Sequence, residues 1–377
     1  MNKENPIMVT KSFLPPIEEY KKEIERIWET NWLTNMGPLH EEFKCKLKSY
    51  LKSDNLSLFI NGHQALEVAL KSLDLKEGGE VITTPFTFAS TTHAIVNCGL
   101  TPVFCDIESE TYNMDAGKIE ELITERTVAI LPVHVFGNPC NVKKIGEIAK
   151  QYNVKVIYDA AHTFGVEINS EGIGSFGDIS MFSLHATKVF HSIEGGVLTY
   201  RDKGLEQKLR NLKNFGIVGP ENVISSGGNS KMNEFQAAMG IVNLRYVDNE
   251  IIKRKKIAYL YRDKLEDIKG IRVLKDLPGV KHNYSYFPII VNEKEFGMTR
   301  DDLFEKLKEF NIFSRKYFYP LTTEYDCYKG KFNAEVPIAK YISERVLNLP
   351  IYGSLEHEAV EKICQIIIEE SQKEKCL

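Results

Sequence analysis

An α/β architecture is predicted for this chain. Short apolar runs rich in valine and isoleucine alternate with stretches of helical period, and the chain is long enough for a large sheet domain and a smaller companion. At 377 residues it has material for a sizeable core and for two domains of the usual size, about 100–200 residues each.

The elements follow in order. HQALEVALKSL, residues 63–73, spaces its apolar side chains three and four apart and predicts a helix. EVITTPFTF (80–88), TPVFCDI (101–107), TVAILPVHVFG (127–137) and VKVIYDAAH (154–162) are short, β-branched and bounded by polar or Gly/Pro turns, the pattern of buried strands. VKKIGEIAKQY (142–152) supplies another helix between two of them. From about residue 246, VDNEIIKRKKIAYLYRDKLEDI predicts a long charged amphipathic helix leading into a smaller α+β part. There NYSYFPIIV (283–291) predicts a strand, and TRDDLFEKLKEFN (299–311) a helix capped by Thr299 above Asp301 and Asp302. The expected division is 1–250 for the large domain with its amino-terminal segment and 251–377 for the small carboxyl-terminal one.

Composition removes several function classes. With 48 basic and 52 acidic residues the net charge is −4, without the basic excess of a nucleic-acid binder. No apolar run approaches the roughly 20 residues that cross a bilayer, and MNKENPIMVTKSFLPP has no secretory-signal pattern, so the expectation is a cytoplasmic protein with no membrane partner. Seven cysteines (Cys45, Cys98, Cys105, Cys140, Cys327, Cys364 and Cys376) form no CxxC pair and are assigned neither disulfides nor a metal. No GxGxxG follows a strand, which argues against a nicotinamide-binding Rossmann enzyme.

The chemistry concentrates in SLHATKVFHSIEGG, residues 183–196, where Lys188 follows Ser183 and leads to a glycine pair. Gly195 and Gly196 serve either a plain turn or a close approach of backbone. Asp159 ends the run VKVIYD, and open α/β sheets bind ligands at the carboxyl ends of their strands. Alone, the aspartate could equally cap a helix, and a lone lysine is ordinarily a solvated charge. Together they match the demands of pyridoxal phosphate: a lysine for the Schiff base, a carboxylate for the pyridinium nitrogen, and hydroxyls and amides for the phosphate. His162 follows Asp159 by three residues and is placed to bond the same ligand. Gly62 and His63 open a predicted helix whose free amides and dipole favour a phosphate. Phe88, ending its predicted strand, is placed to cover a pyridine ring, although an aromatic there is as readily core.

Six stretches in order, NGHQAL, TTPFTFASTTHAI, YDAAHTFG, FGDISMFSLHATKVFHSIEGG, GGNSKMNEFQAAMG and RKYFYPL, resemble the DegT/StrS-type sugar aminotransferases over nearly the whole chain. The resemblance implies a fold-type I pyridoxal phosphate enzyme, with a mixed, mostly parallel seven-stranded sheet in its large domain. It implies Lys188 as the Schiff-base lysine, Asp159 as partner of the pyridine nitrogen, His162 beside the ring hydroxyl, Ser183 with Gly62 and His63 as the phosphate cradle, and Phe88 against the ring. Asn229 matches an asparagine that reaches the phosphate from the other subunit, which implies a homodimer with composite sites. His185, Arg315 and Tyr317 are expected to meet the substrate, with Lys316, Phe318 and Tyr319 beside them. Three positions depart from the family pattern: His63 for threonine, Lys231 for arginine and His191 for asparagine.

The implied reaction moves an amino group from L-glutamate to a nucleotide-linked keto-6-deoxyhexose. The expected substrate is dTDP-4-dehydro-6-deoxyglucose, with C3 amination of a 3-keto isomer as the rival. Related sugar dehydratases carry histidine in place of the lysine, so Lys188 argues against that chemistry, His185 notwithstanding. A regulatory protein is disfavoured by the absence of a basic stripe or helix-turn-helix appendage.

Overall fold

The computed structural model describes residues 5–332 and 334–373, so Cys376 and the first four residues of the amino-terminal stretch lie outside the described residues. Its centre is a seven-stranded sheet made of β1 (Leu56–Phe59), β2 (Glu80–Thr83), β3 (Thr101–Phe104), β4 (Thr127–Leu131), β5 (Lys155–Asp159), β6 (Ile179–Ser183) and β7 (Gly196–Tyr200), in the order β1-β7-β6-β5-β4-β2-β3. β7 runs antiparallel to both β1 and β6, and the remaining neighbours pair in parallel. All six other strands therefore point their carboxyl ends to one edge. That edge collects the segments after Phe59, Thr83, Asp159 and Ser183.

The four strands expected from β-branched runs are present, and EVITTPFTF is shorter than expected. Its strand stops at Thr83, because Pro85 cannot supply a ladder N–H, and Phe88 instead precedes the helix Ala89–Asn97. β1, β6 and β7 were not singled out by composition. LSLF, ISMFS and GVLTY are short and carry serine, threonine or glycine, and they become strands because both sheet faces bury them.

Helices cover the sheet: α1 (Ile17–Thr30), α2 (Pro38–Leu51), α3 (Gly62–Ser72), α4 (Ala89–Asn97), α5 (Val142–Tyr152), α6 (Leu205–Leu212), α7 (Glu234–Asn243) and α8 (Val247–Leu265). α5 occupies the predicted span, and Ile145, Ile148 and Ala149 form its buried stripe. α8 passes unbroken through residue 250. It packs beside a three-stranded antiparallel sheet of β8 (Ile271–Val273), β9 (Phe287–Val291) and β10 (Val346–Leu349). Beyond it come α9 (Arg300–Glu309), α10 (Pro337–Arg345) and α11 (His357–Lys373). Thr299 caps α9 as expected, accepting from the Asp302 amide while the Asp302 carboxylate returns the bond. One apolar cluster, including Leu56, Phe182, Ile289, Leu347 and Ile363, is continuous from the large sheet to the small one.

The start of α2 is held from a distance. Pro38 opens the helix and no side chain of its own caps it; the carboxylate of Glu234, on α7, accepts from the amides of Leu39 at 2.8 Å and His40 at 3.0 Å. Glu234→Ala strands two buried donors, and an unmade buried hydrogen bond costs about 1–3 kcal/mol. Urea unfolding of the variant is expected to show a loss of about 3 kcal/mol with an unchanged slope.

Candidate active site

The strand edge brings Asp159 to the floor of a polar cluster. Its side chain is buried, with one oxygen accepting from the Thr91 hydroxyl at 2.8 Å and the other from the Ala161 amide at 3.1 Å. Among the described residues no cation lies within ion-pair distance of this carboxylate. Burial pushes its pKa up, against the two hydrogen bonds and the charge of Lys188, which pull it down.

Lys188 sits in the turn after β6, with its amide bonded to the His185 carbonyl at 2.9 Å. Its Nζ donates to the Tyr286 hydroxyl at 3.3 Å and stands 5.7 Å from that ring's centre. His162 packs against Tyr286 (4.7 Å between ring centres) and lies parallel to Phe318 at 5.9 Å. Its Nδ1 accepts from the Phe136 amide at 3.2 Å. Burial, then the Lys188 charge, holds the imidazole well below its ordinary pKa, so it is neutral at physiological pH.

Gly62 and Ser183, expected from the resemblance to cradle a phosphate, lie side by side. A Cβ on Gly62 would stand 3.1 Å from the Ser183 Cβ, a tight contact, so glycine lets the α3 start lie this close to the end of β6 without a shift of its neighbours. Asn61 caps the helix through the Gln64 amide. The Gly62 and His63 amides belong to the first turn, which has no acceptor inside the helix. Gly196 faces the Asn61 backbone so closely that a side chain would overlap it, which decides for close approach over a plain turn. His63 turns its ring aside, with Nδ1 2.9 Å from the Ser90 hydroxyl and Nε2 3.1 Å from the Glu67 carboxylate. Phe88, 60% exposed at the mouth of α4, is an open aromatic face and not core.

The remaining expected residues are dispersed. His185 bonds Thr187 at 2.8 Å and faces Glu194 at 3.4 Å. Tyr317 meets Tyr286 edge to face at 6.0 Å, and the exposed Arg315 lies 6.0 Å from the Tyr317 ring centre. Lys316 is directed elsewhere, paired with Asp301 at 2.6 Å and lying over Phe304, because its stem crosses the α9 surface. Tyr319 likewise faces outward, 4.7 Å from Arg300. The Asn229 carboxamide accepts from Lys231 at 2.8 Å, and none of its hydrogen bonds reaches Ser183 or Lys188. His191 is buried and accepts no site role, since its ring bonds the Phe13 carbonyl at 2.6 Å and ties down the amino-terminal segment.

Two participants were not singled out from sequence. Thr91, three residues past Phe88 on the first turn of α4, fixes Asp159; its spacing from Phe88 was an available signal. Tyr286 stood inside a stretch expected only as strand, and it precedes β9 by one residue.

These groups fit pyridoxal phosphate. The buried carboxylate, with no cation in ion-pair distance among the described residues, would gain one in a pyridinium N–H, the amine reaches the same cluster, and the Gly62–Ser183 junction with open amides offers a phosphate seat. The sequence matches the DegT/DnrJ/EryC1/StrS aminotransferase family over residues 16–368. The chain belongs to this family. As a DegT/DnrJ/EryC1/StrS aminotransferase it is a member of a pyridoxal phosphate-dependent group.

Relatives extend the comparison. The dTDP-4-amino-4,6-dideoxy-D-glucose transaminase of Shigella dysenteriae is 44% identical over 367 residues, covering 97% of this chain and 99% of that protein. The Escherichia coli transaminase of the same name is 43% identical, with 97% and 99% covered. DesI, whose crystal structure was determined in the presence of its TDP-sugar product, superposes with a TM-score of 0.94 at 30% identity, covering 99% of this chain and 94% of that one. Among the described residues no helix is long and apolar enough to cross a membrane.

Proposed function

We propose that this aminotransferase transfers the amino group of L-glutamate to C4 of dTDP-4-dehydro-6-deoxyglucose, giving dTDP-4-amino-4,6-dideoxyglucose. The observation that carries the reading is the convergence of the Lys188 amine and the buried Asp159 carboxylate at one sheet edge, beside the Gly62–Ser183 junction. The names of the Shigella and E. coli relatives support the choice of sugar. Residues 1–250 act as the cofactor-holding unit and 251–377 as the smaller unit that brings Tyr286 to Lys188 and Arg315 and Tyr317 to the substrate. The working form is a homodimer in which Asn229 completes the partner's phosphate seat.

Pyridoxal phosphate, when bound, supplies the electron sink and carries nitrogen between the two substrates. Lys188 would hold it through Nζ, and the same amine, when free, would take the α-proton of the amine donor and, in the return half, give a proton to the sugar carbon that receives nitrogen. Asp159 keeps the ring nitrogen protonated by presenting a buried negative charge, steadied by Thr91 and the Ala161 amide. His162, held neutral, bonds without adding a competing charge. Phe88 would cover a ring face, and Ser183 with the Gly62 and His63 amides would receive the phosphate. His185, Arg315 and Tyr317 orient the nucleotide sugar.

Tyr286 accepts a hydrogen bond from the lysine amine, so it steadies Nζ when the lysine is free. Tyr286→Phe is expected to lower kcat by up to about tenfold, the worth of one ordinary hydrogen bond, while the KM for the sugar nucleotide changes less than twofold. Steady-state kinetics separate the two parameters. For the reaction itself, the protein is incubated with pyridoxal phosphate, L-glutamate and dTDP-4-dehydro-6-deoxyglucose, and the nucleotide product is identified by mass spectrometry and NMR. An amine at C4 supports the proposal; no product from this sugar, with amination at C3 when the 3-keto isomer is supplied instead, would replace it.

A further inference from the structure

Two hydroxyls in series stand behind the Asp159 carboxylate. Thr91 donates to Asp159 Oδ2 at 2.8 Å, and the Thr87 hydroxyl lies 2.9 Å from that of Thr91. Both threonines are buried. They are four residues apart, the spacing that puts two side chains on one face of a helical turn, and Phe88 lies between them where α4 begins.

The direction of this chain follows from its end. An ionised carboxylate can only accept, so the Thr91 proton is spent on Asp159 and the Thr87 proton fills the contact with the Thr91 oxygen. Among the described residues the Thr87 hydroxyl has no other hydrogen-bond partner, so the reversed chain would leave its buried proton without an acceptor. The arrangement therefore suits a charged Asp159. A hydroxyl that accepts a bond also becomes a better donor, so Thr87 strengthens the bond that Thr91 makes. Burial, the largest influence on this carboxyl, works the other way. The remaining titratable groups nearby are Lys188, on the turn after β6, which favours the charge, and Cys140, before α5, whose thiol burial holds protonated. His162 and His134 are both held neutral by burial.

We infer that Thr87 is a positioning residue for the reaction, acting through Thr91 as a two-hydroxyl relay that keeps Asp159 charged and aimed. This rests on the pyridoxal phosphate reading above, in which a cationic ring puts that charge to use. Thr87 itself touches none of the reacting groups.

The test reads the carboxyl in the cofactor-free full-length protein. The melting advantage of Asp159→Asn grows as pH rises above the ordinary carboxyl range and levels off at the folded-state pKa of Asp159. Thr91→Val, which keeps the shape and removes the hydroxyl, is expected to move that levelling point up by about one pH unit, the worth of a hydrogen bond to a charged group. Thr87→Val moves it the same way by a fraction of a unit, and adds nothing where Thr91 is already valine, because its route runs through that hydroxyl. Thr87→Ser keeps the hydroxyl and matches the parent. Thr92→Val is the control: its buried hydroxyl, on the same helix, bonds Thr322 at 3.0 Å, so its loss leaves the levelling point in place even where it lowers the melting temperature. With pyridoxal phosphate bound, Thr87→Val is expected to lower kcat about twofold to threefold with the sugar-nucleotide KM unchanged. Should Thr91→Val fail to fold, Thr87→Val against Thr87→Ser decides. A levelling point that Thr87→Val leaves at the parent's pH, or that it moves equally with and without the Thr91 hydroxyl, overturns the relay and leaves the lysine reading intact. A parent that forms no visible band with pyridoxal phosphate overturns the cofactor reading and the reaction role of Thr87 with it.

Discussion

Replacing Lys188 by alanine is expected to remove turnover and, with it, the visible absorbance of the lysine-linked cofactor. In the proposed mechanism the amine is needed twice, as the covalent anchor and as the group that moves the proton. General acid–base transfer alone contributes roughly 10²–10⁴-fold, so the combined loss should exceed about 10⁴-fold. Binding of pyridoxal phosphate should persist in weakened form, because the Asp159, Ser183 and Gly62 contacts do not pass through Nζ. The measurement is a rate assay paired with a visible spectrum of the variant after removal of free cofactor. Parent-level turnover by Lys188→Ala would end the proposed mechanism. Replacement by arginine would not rescue it, since a guanidinium stays protonated and cannot take the α-proton.

Asp159→Asn is expected to be the second most damaging change. The carboxylate is enclosed, so its partnership with a ring cation is not diluted by water, and breaking a buried ion pair costs about 3–5 kcal/mol, or roughly 10²–10⁴ in rate. Lysine attachment should survive and the visible band should remain with a shifted maximum. Turnover equal to the parent would remove the assigned role.

The same carboxylate gives a signed pH expectation for the cofactor-free protein. Burial raises its pKa above the ordinary carboxyl value of 3.8. A carboxyl with a raised folded-state pKa contributes stability that is complete below its unfolded value and is lost as pH rises through the folded value. At neutral pH the ionised side chain therefore costs stability that asparagine does not. Calorimetry of the cofactor-free proteins should show Asp159→Asn melting above the parent at neutral pH, with the advantage gone once the pH falls below the ordinary carboxyl range. Cofactor binding should reverse the order, because the ring cation then stabilises the charged form. A parent that melts higher than the variant without cofactor at neutral pH would contradict the burial argument.

Legibility differed between residues for identifiable reasons. Lys188, Asp159, Ser183 and Gly62 were readable because each stands at a strand end, on the turn after a strand or at a helix start, where local pattern also places the ligand-facing edge. The alternation of strands and helices was readable where a run was rich in valine and isoleucine, as in β4 and β5. β7 was not, since glycine and threonine become strand residues there only by pairing with β1 and β6. Lys316 and Tyr319 looked equivalent to Arg315 and Tyr317 in RKYFYP, yet contacts with Asp301 and Arg300 turn them away.

By itself, then, the sequence determined the α/β class, the family and the set of groups proposed to hold pyridoxal phosphate, because periodicity and residue type are local properties of the chain. Only the tertiary structure decided how those groups are supported. Tyr286 is 98 residues from Lys188, Asp159 is 68 from Thr91, and Ser90 is 27 from His63. Hydrogen bonds across such separations exist only after the sheet order and the packing of α3, α4 and β9 have brought the partners together, and no local pattern encodes them.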